Sequence, residues 1–337
     1  MKGIIFEEPR KVVLKKDIEK PKVKSDEVLI KIHNCGICGS DIESYNTGAL
    51  ELTGIILGHE FSGEIVELGK NVKKMDIGTR VTANPNKPCG KCYWCVHNQE
   101  NMCKKTSGIG QTHNGALAEY IKVKADRIHI LPDKVSYSEG AMVEPLAVSL
   151  YAASESGFTI GNSSVVIGAG AIGLMTIQVL RAAGASQLIV LEPVESKQKK
   201  ALELGADIVL DPKSWRKINK LTKKIGPDYV FDCVGIPETI NNSMKIVKKG
   251  GYIVFIGIHV EPFEIQGFLQ LLMKNITIRG TYAYDQDIFQ AAIRLINQKK
   301  VDVNSLITKK IKLEDVPKEF ESLSKLKHEE IKVMTEI

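Results

Sequence analysis

Residues 164–191 constrain the fold of this chain more than any other stretch. The apolar run Ser164-Val165-Val166-Ile167 leads into Gly168-Ala169-Gly170-Ala171-Ile172-Gly173. Apolar residues at helical spacing follow over 172–183, and then a second apolar run, Leu188-Ile189-Val190-Leu191. A buried strand, a glycine turn, a buried helix and another buried strand in that order make a βαβ unit, whose two strands pair in parallel. The alternation continues with a helix over 195–204 and strands at 208–210, 229–231, 252–256 and 276–278. The pattern predicts an α/β fold with a doubly wound parallel sheet covered on both faces.

The turn itself matches G-x-G-x-x-G, a weak motif alone. Here a strand precedes it, a helix follows it, and Glu192 ends the next strand 19 residues after Gly173. Gly168 allows the tight turn, Gly170 lets a pyrophosphate approach the backbone, and Gly173 lets helix and strand pack closely. Ala171 and Ile172 open the helix, whose free N–H groups and partial positive charge face the phosphates. Glu192 is expected to accept hydrogen bonds from the adenosine ribose hydroxyls. A carboxylate there repels a 2′-phosphate, which favours NAD over NADP, although Lys197, Lys199 and Lys200 soften the preference. The bland alternative is a glycine-rich turn with no ligand.

The first 150 residues read differently. Strand patterns at 28–32, 61–68, 80–83 and 117–123 are separated by glycine- and proline-containing turns, with few helical periods between them. After about Tyr282 come a helix over 287–297, a strand at 306–308, a helix over 316–323 and a closing strand. The expected division is a β-rich domain, 1–150 with 283–337 packing back onto it, and a nucleotide-binding domain over 151–282.

Seven cysteines are too few and too clustered for a disulfide scaffold. Cys89, Cys92, Cys95 and Cys103 form C-x2-C-x2-C-x7-C in a loop with Pro85, Pro88 and Gly90. Four thiolates at this spacing close a tetrahedral shell around Zn²⁺ and staple a loop with little core of its own. An iron–sulfur cluster is the smaller alternative. Cys38, His59 and Glu60 offer a thiolate, an imidazole and a carboxylate, a set suited to a zinc with an open position. Taken singly, His59 and Cys38 read as core residues. Cys35 and Cys38 also form C-x-x-C, but without the strand–helix context of a redox pair, so Cys35 and Cys233 read as packing cysteines.

Bulk properties exclude other classes. Hydrophobic residues at 43% and charged residues at 26% are ordinary for a soluble globular chain. The net charge of +6 is spread over separate segments, so nucleic-acid binding is not expected. Residues 156–180 carry no formal charge, but they include Asn162, Gln178 and five glycines, and they read as a buried strand and helix rather than a membrane span. The N-terminal apolar run is short for a signal peptide, and the chain is expected in the cytoplasm.

Together, Gly36-Ile37-Cys38-Gly39-Ser40-Asp41, Gly58-His59-Glu60, the four-cysteine lobe and the glycine turn resemble the zinc-containing medium-chain dehydrogenase/reductase superfamily over nearly the full length. Val143-Glu144-Pro145-Leu146-Ala147-Val148 resembles the segment of its sorbitol, polyol and 2,3-butanediol dehydrogenases that supplies a glutamate at the catalytic zinc. The resemblance implies a GroES-like catalytic domain beside a Rossmann domain. It implies hydride transfer between a secondary alcohol or polyol and NAD, with one catalytic and one structural zinc. It makes Cys38 and His59 ligands, leaves the inner shell to Glu60 and Glu144 together or in turn, and has Asp41 orient His59. Ser40 is implied as the start of the proton relay, with Glu43 standing where relatives often carry a histidine. Cys233-Val234-Gly235, Ile256-Gly257 and Gly280-Thr281 are implied along the cofactor crevice. Tyr284 is implied as a substrate-contacting aromatic, against the plain reading of a surface or hinge tyrosine. A dimer or tetramer is implied as well. The competing readings are an aldose 1-dehydrogenase or threonine-type amino-alcohol dehydrogenase on the same scaffold, and a non-enzymatic nucleotide-binding protein.

Overall fold

A computed structural model of the chain describes residues 1–49, 52–105, 107–325 and 328–337. It forms two compact units: Met1–Ala147 with Tyr284–Lys299 and Val303–Ile337, and Val148–Ala283 with Lys300–Asp302.

The first unit starts with an antiparallel pair, β1 (Gly3–Glu8) and β2 (Lys11–Lys15). Then come β3 (Glu27–Gly36), α1 (Gly39–Thr47), β4 (Glu60–Leu68), β5 (Arg80–Ala83), α2 (Tyr93–Val96), β6 (Tyr120–Lys124), β7 (Ile128–Ile130), α3 (Tyr137–Ala141) and α4 (Val143–Glu155), of which Val143–Ala147 belong to this unit. The long strand β3 is the hub, pairing antiparallel with β4 and with β6. Its Val28, Ile30 and Ile32 join Phe61, Ile65, Val81 and Phe320 in one buried apolar cluster. Burial of that apolar surface, rather than strand propensity, holds these short strands in register.

The second unit contains β8 (Ser163–Ile167), α5 (Ala171–Ala182), β9 (Gln187–Leu191), α6 (Glu195–Glu203), β10 (Ile208–Leu210), α7 (Lys217–Leu221), β11 (Tyr229–Asp232), α8 (Pro237–Ile246), β12 (Tyr252–Phe255), α9 (Phe268–Lys274) and β13 (Thr277–Gly280). The six strands are all parallel, in the order β10-β9-β8-β11-β12-β13. The order reverses beside β8, so the glycine turn after β8 and residues 233–235 after β11 flank the switch point where such sheets bind ligands. The uncharged stretch 156–180 is divided between β8 and α5. No helix among the described residues is long and apolar enough to cross a membrane.

The chain then returns to the first unit with α10 (Gln286–Asn297), β14 (Ile307–Lys312), α11 (Val316–Leu323) and β15 (Lys332–Glu336). β15 pairs antiparallel with the end of β3, Met334 opposite Gly36. Several expected elements shift. The strand expected at 117–123 begins only at Tyr120, because Leu117 exchanges its backbone hydrogen bonds with Ile4 and Leu57 instead. The strand expected at 306–308 starts after a tight turn at 304–306 and runs to Lys312. The helix α4, thirteen residues long, stands where few helical periods were expected.

Candidate active site

At the end of β3 the chain turns through Cys38, which caps α1 and donates its backbone N–H to Asp41 Oδ2 at 2.9 Å. Gly58, at φ +92°, sets His59 and Glu60 at the head of β4. A Cβ on Gly58 would strike Cys35 and Leu117, so no other residue fits that turn. The two loops bring Cys38, His59 and Glu60 together, with one ligand atom from each within 4.8 Å of the others.

The surroundings of this cluster are buried and negative. Asp41 faces His59 with Nδ1 and Oδ1 3.6 Å apart, beyond a hydrogen bond, and neither atom has another partner. Burial disfavours a charged His59, but Asp41 and Cys38 outweigh it and hold the imidazole pKa well above its ordinary range. A pocket that favours positive charge on an imidazole, lined by a thiol and a carboxylate, fits a zinc ion.

Glu60 is fully buried, and both its oxygens accept from Lys332 Nζ, at 2.8 and 2.7 Å. Lys332 also donates to the carbonyl of Ile37 at 3.0 Å. Burial lowers the Lys332 pKa, while Glu60 and Cys38 more than offset this and raise it. A Cβ on Gly36 would overlap Glu60 Oε2, so a side chain there would displace the carboxylate from this pair. Sequence reasoning missed Lys332. Its only signal is a lone lysine in an apolar closing strand, Ile331-Lys332-Val333-Met334.

Glu144 lies in the first turn of α4, outside the three-residue cluster, and accepts the Tyr284 hydroxyl on Oε1 at 2.7 Å. Burial pushes its carboxyl up to about 7, against the pull of His59. Tyr284 is 2% exposed, so it is not a surface tyrosine, and its hydroxyl donates to Glu144. Ser40 is half-buried in the first turn of α1. Glu43, also half-buried, is not brought into the cluster, and its carboxylate has no hydrogen-bond partner among the described residues.

In the lobe around α2, the Cys92 and Cys95 sulfurs are 3.5 Å apart, and the Cys89–Cys95 and Cys92–Cys103 pairs are each 3.9 Å apart. A regular tetrahedron of Zn–S bonds has edges of about 3.8 Å, so the four thiols are spaced for the ion. The backbone N–H groups of Cys89 and Lys105 point at the Cys103 sulfur, at 3.2 and 3.4 Å. They supply the donors that a thiolate needs.

In the second unit, Gly168 has φ +90°, and a Cβ on Gly173 would overlap the Gly168 carbonyl. The Cβ position of Gly170 is open, and Gly170 caps α5, so the free N–H groups of Ala171 and Ile172 lie beside empty space. That is the cradle a pyrophosphate needs. Glu192 is buried, accepting from the backbone N–H of Ala169 at 2.7 Å and of Val194 at 2.9 Å. It braces the glycine turn, a role that sequence reasoning did not assign to it. Asp232 Oδ1 accepts from the N–H groups of Val234 and Gly235, at 2.9 and 3.0 Å, and shapes the loop that contains Cys233. Gly235 and Gly257 pack backbone to backbone, with Ile256 buried beside them. Thr281 Oγ1 donates to the Phe255 carbonyl at 3.1 Å.

Comparison with known proteins agrees with both units. A family model described as zinc-binding dehydrogenase matches residues 171–298, and one described as alcohol dehydrogenase GroES-like domain matches residues 24–133. The chain is 33% identical over 331 residues to D-arabitol-phosphate dehydrogenase of Enterococcus avium, covering 95% of this chain and 92% of that one. The structure of 2R,3R-butanediol dehydrogenase from Bacillus subtilis superposes with a TM-score of 0.90 at 32% identity, covering 100% of this chain and 99% of the other. A zinc-binding dehydrogenase from Sinorhizobium meliloti 1021, bound to NADP, superposes with a TM-score of 0.92 at 29% identity and the same coverage. Likeness of this extent, resting on a cluster that the fold assembles independently of any comparison, makes the chain a member of the zinc-containing medium-chain dehydrogenase/reductase superfamily and an alcohol/polyol dehydrogenase of its polyol branch.

Proposed function

We propose that the protein transfers a hydride between a secondary alcohol or polyol and NAD. The catalytic zinc is held at Cys38 and His59, and the structural zinc at Cys89, Cys92, Cys95 and Cys103. The observation that carries this reading is the thiol–imidazole–carboxylate cluster, with His59 and Glu60 buried and Lys332 bonded to Glu60. Zinc, when bound, supplies a Lewis acid for the substrate oxygen. The other roles belong to the chain. Asp41 faces Nδ1 of His59, which leaves Nε2 for the metal. Glu60 is the carboxylate within reach, and Lys332 balances its charge; Glu144 stands beside it, fixed by Tyr284. Ser40 takes the alcohol proton on its hydroxyl oxygen and passes its own proton on. Glu43, three residues along α1, is the next acceptor.

In the second unit the turn from Gly168 to Gly173, including Ala171 and Ile172, holds the pyrophosphate. Cys233, Val234, Gly235, Ile256, Gly257 and Thr281 line the crevice for the rest of the dinucleotide. Each Glu192 oxygen keeps a lone pair beyond its backbone hydrogen bond, enough to accept from a ribose hydroxyl and to oppose a 2′-phosphate. The test is a steady-state panel of secondary alcohols, polyols, aldoses and L-threonine with NAD and with NADP, alongside metal analysis. The expected result is the highest kcat/KM with a polyol or secondary alcohol and NAD. A clear preference for aldoses or threonine moves the enzyme to those substrates, and a preference for NADP overturns the role given to Glu192. No turnover of any substrate with zinc bound leaves a nucleotide-binding protein.

A further inference from the structure

The second unit contains a cavity of about 670 Å³ that the dehydrogenase reading leaves unused. Its walls carry Arg216, Lys224, Lys245, Lys249 and Lys274, and no carboxylate. These cations come from stretches far apart in sequence: 212–227, which holds six basic residues and no acidic one, then 245–249, then the end of α9. Charge that looks scattered along the chain is thus gathered by the fold at one place.

Two observations set this cavity apart from an ordinary lysine-covered surface. Some lysines elsewhere find partners, as Lys199 does with Glu195, Lys248 with Asp228 and Lys309 with Glu319. Among the described residues, none of the five cations in the cavity walls has a carboxylate within ion-pair distance. Several are also held in place. Lys274 donates to the carbonyls of Met244, Lys245 and Val247 at 2.9, 2.7 and 3.0 Å, at the C-terminal end of α8. Arg216 and Lys245 lie over the Trp215 ring, 4.9 and 5.7 Å from its centroid. The indole keeps both at the wall, where free lysines and arginines would spread apart into solvent. Unpaired cations fixed around a concave space concentrate positive potential there.

The cavity is distinct from the nucleotide crevice. Gly226 and Lys249 precede β11 and β12, whereas Cys233–Gly235 and Ile256–Gly257 follow the same strands. Parallel strands of four residues separate their two ends by about 10 Å, so both places can be filled at once.

We propose that this cavity binds a small anion carrying several phosphoryl groups, either free or as the phosphate chain of a nucleotide. The volume is that of a small-molecule site, and the donors surround a pocket rather than tracking along a groove, which favours a compact anion over a nucleic-acid strand. The test uses the full-length, zinc-loaded protein and inorganic triphosphate at fixed ionic strength. Trp215 fluorescence is followed in a Trp94→Phe background, since Trp94 is the other of the two tryptophans, and calorimetry on the wild type gives a second readout. The expected result is saturable one-site binding with Kd below about 1 mM. The Arg216→Glu/Lys249→Glu variant should keep its fold and dehydrogenase activity while binding at least tenfold more weakly. ATP binding more tightly than triphosphate, with the same sensitivity to the double variant, assigns a nucleotide; equal affinity assigns a free polyphosphate. Binding unchanged in the double variant, or reproduced by sulfate at matched ionic strength, overturns the proposal. So does a single-stranded RNA of about 12 nucleotides that displaces triphosphate and binds more tightly through the same residues.

Discussion

Glu60 and Lys332 lie 272 positions apart in sequence, yet they meet as a buried ion pair. Removing one member of a buried pair leaves an uncompensated charge, at a cost of about 3–5 kcal/mol. Lys332→Met should lower the unfolding free energy by that amount, and Glu60→Gln/Lys332→Met should lose less than the two single variants combined. Urea unfolding of the four proteins closes the cycle, and strictly additive losses would mean that the pair is uncoupled. Ser40→Ala tests the front of the site. A positioned proton-transfer group contributes about 10²–10⁴-fold in rate, so turnover should fall within that range while NAD affinity stays within a few-fold of wild type. Unchanged turnover with chemistry rate-limiting would remove Ser40 from the mechanism. The sequence exposes Cys38, His59 and Glu60 because they sit in short motifs around glycines whose geometry is local. Lys332 and Tyr284 enter only through the pairing of β15 with β3 and the burial of the segment that starts at Tyr284, and no spacing along the chain encodes either.

At the scale of elements, legibility follows locality again. The four-cysteine lobe is readable because its ligands span fifteen consecutive positions, 89–103. The closed sulfur shell and the more open Cys38/His59 cluster should release zinc at different rates, so brief chelation should abolish activity while circular dichroism is unchanged. Simultaneous loss of activity and fold would merge the two roles. The helix α4 is what the strand-rich reading of residues 1–150 passes over; its Pro145 lies in the first turn, where a proline loses no hydrogen bond, since the N–H there is unpaired in any case. Asp228 illustrates a link between elements. It accepts from the Ser163 N–H at 2.7 Å and hydroxyl at 2.6 Å, and from Lys248, tying the start of β8 to the chain between α8 and β12. Burial raises its pKa, but Lys248 and Ser163 prevail and hold it below the ordinary value. A depressed folded pKa gives stability that is fully present above the unfolded value, near 3.8, and is lost as pH falls through the folded one. Asp228→Asn should therefore cost about 1.5–3 kcal/mol at pH 7, and the gap to wild type should close as the pH drops below 4. A gap that persists in acid would assign the loss to packing.

For the whole molecule, the last question is what covers the edge of the parallel sheet. All four residues of β13 are exposed in the single chain, Ile278 among them, and the adjacent α9 presents Phe268, Leu269, Leu272 and Met273 to solvent, each at least 60% exposed. An unpaired strand edge beside so much apolar surface is a template for association, and monomeric proteins normally blunt such edges with charge or cover them. The nearest cation on the strand, Arg279, is engaged with Glu155 and does not serve that purpose. Each large apolar side chain taken out of water contributes about 1.5–3 kcal/mol, so the four on α9 alone, doubled by symmetry, could offset the entropy lost when two copies associate. The run at 276–278 reads as the last strand of the sheet, whereas the apolar face of α9 carries no sequence signal, because its short helix follows a stretch without clear periodicity. The protein is expected to be a dimer or tetramer of its 37.2 kDa chain, with β13 and α9 at the contact. Light scattering at micromolar concentration should give a multiple of that mass. Leu272→Glu/Ile278→Lys, which puts charge on both elements, should shift it toward a folded single chain. A wild-type monomer would discard the contact altogether, and an oligomer indifferent to the double variant would place it on another face.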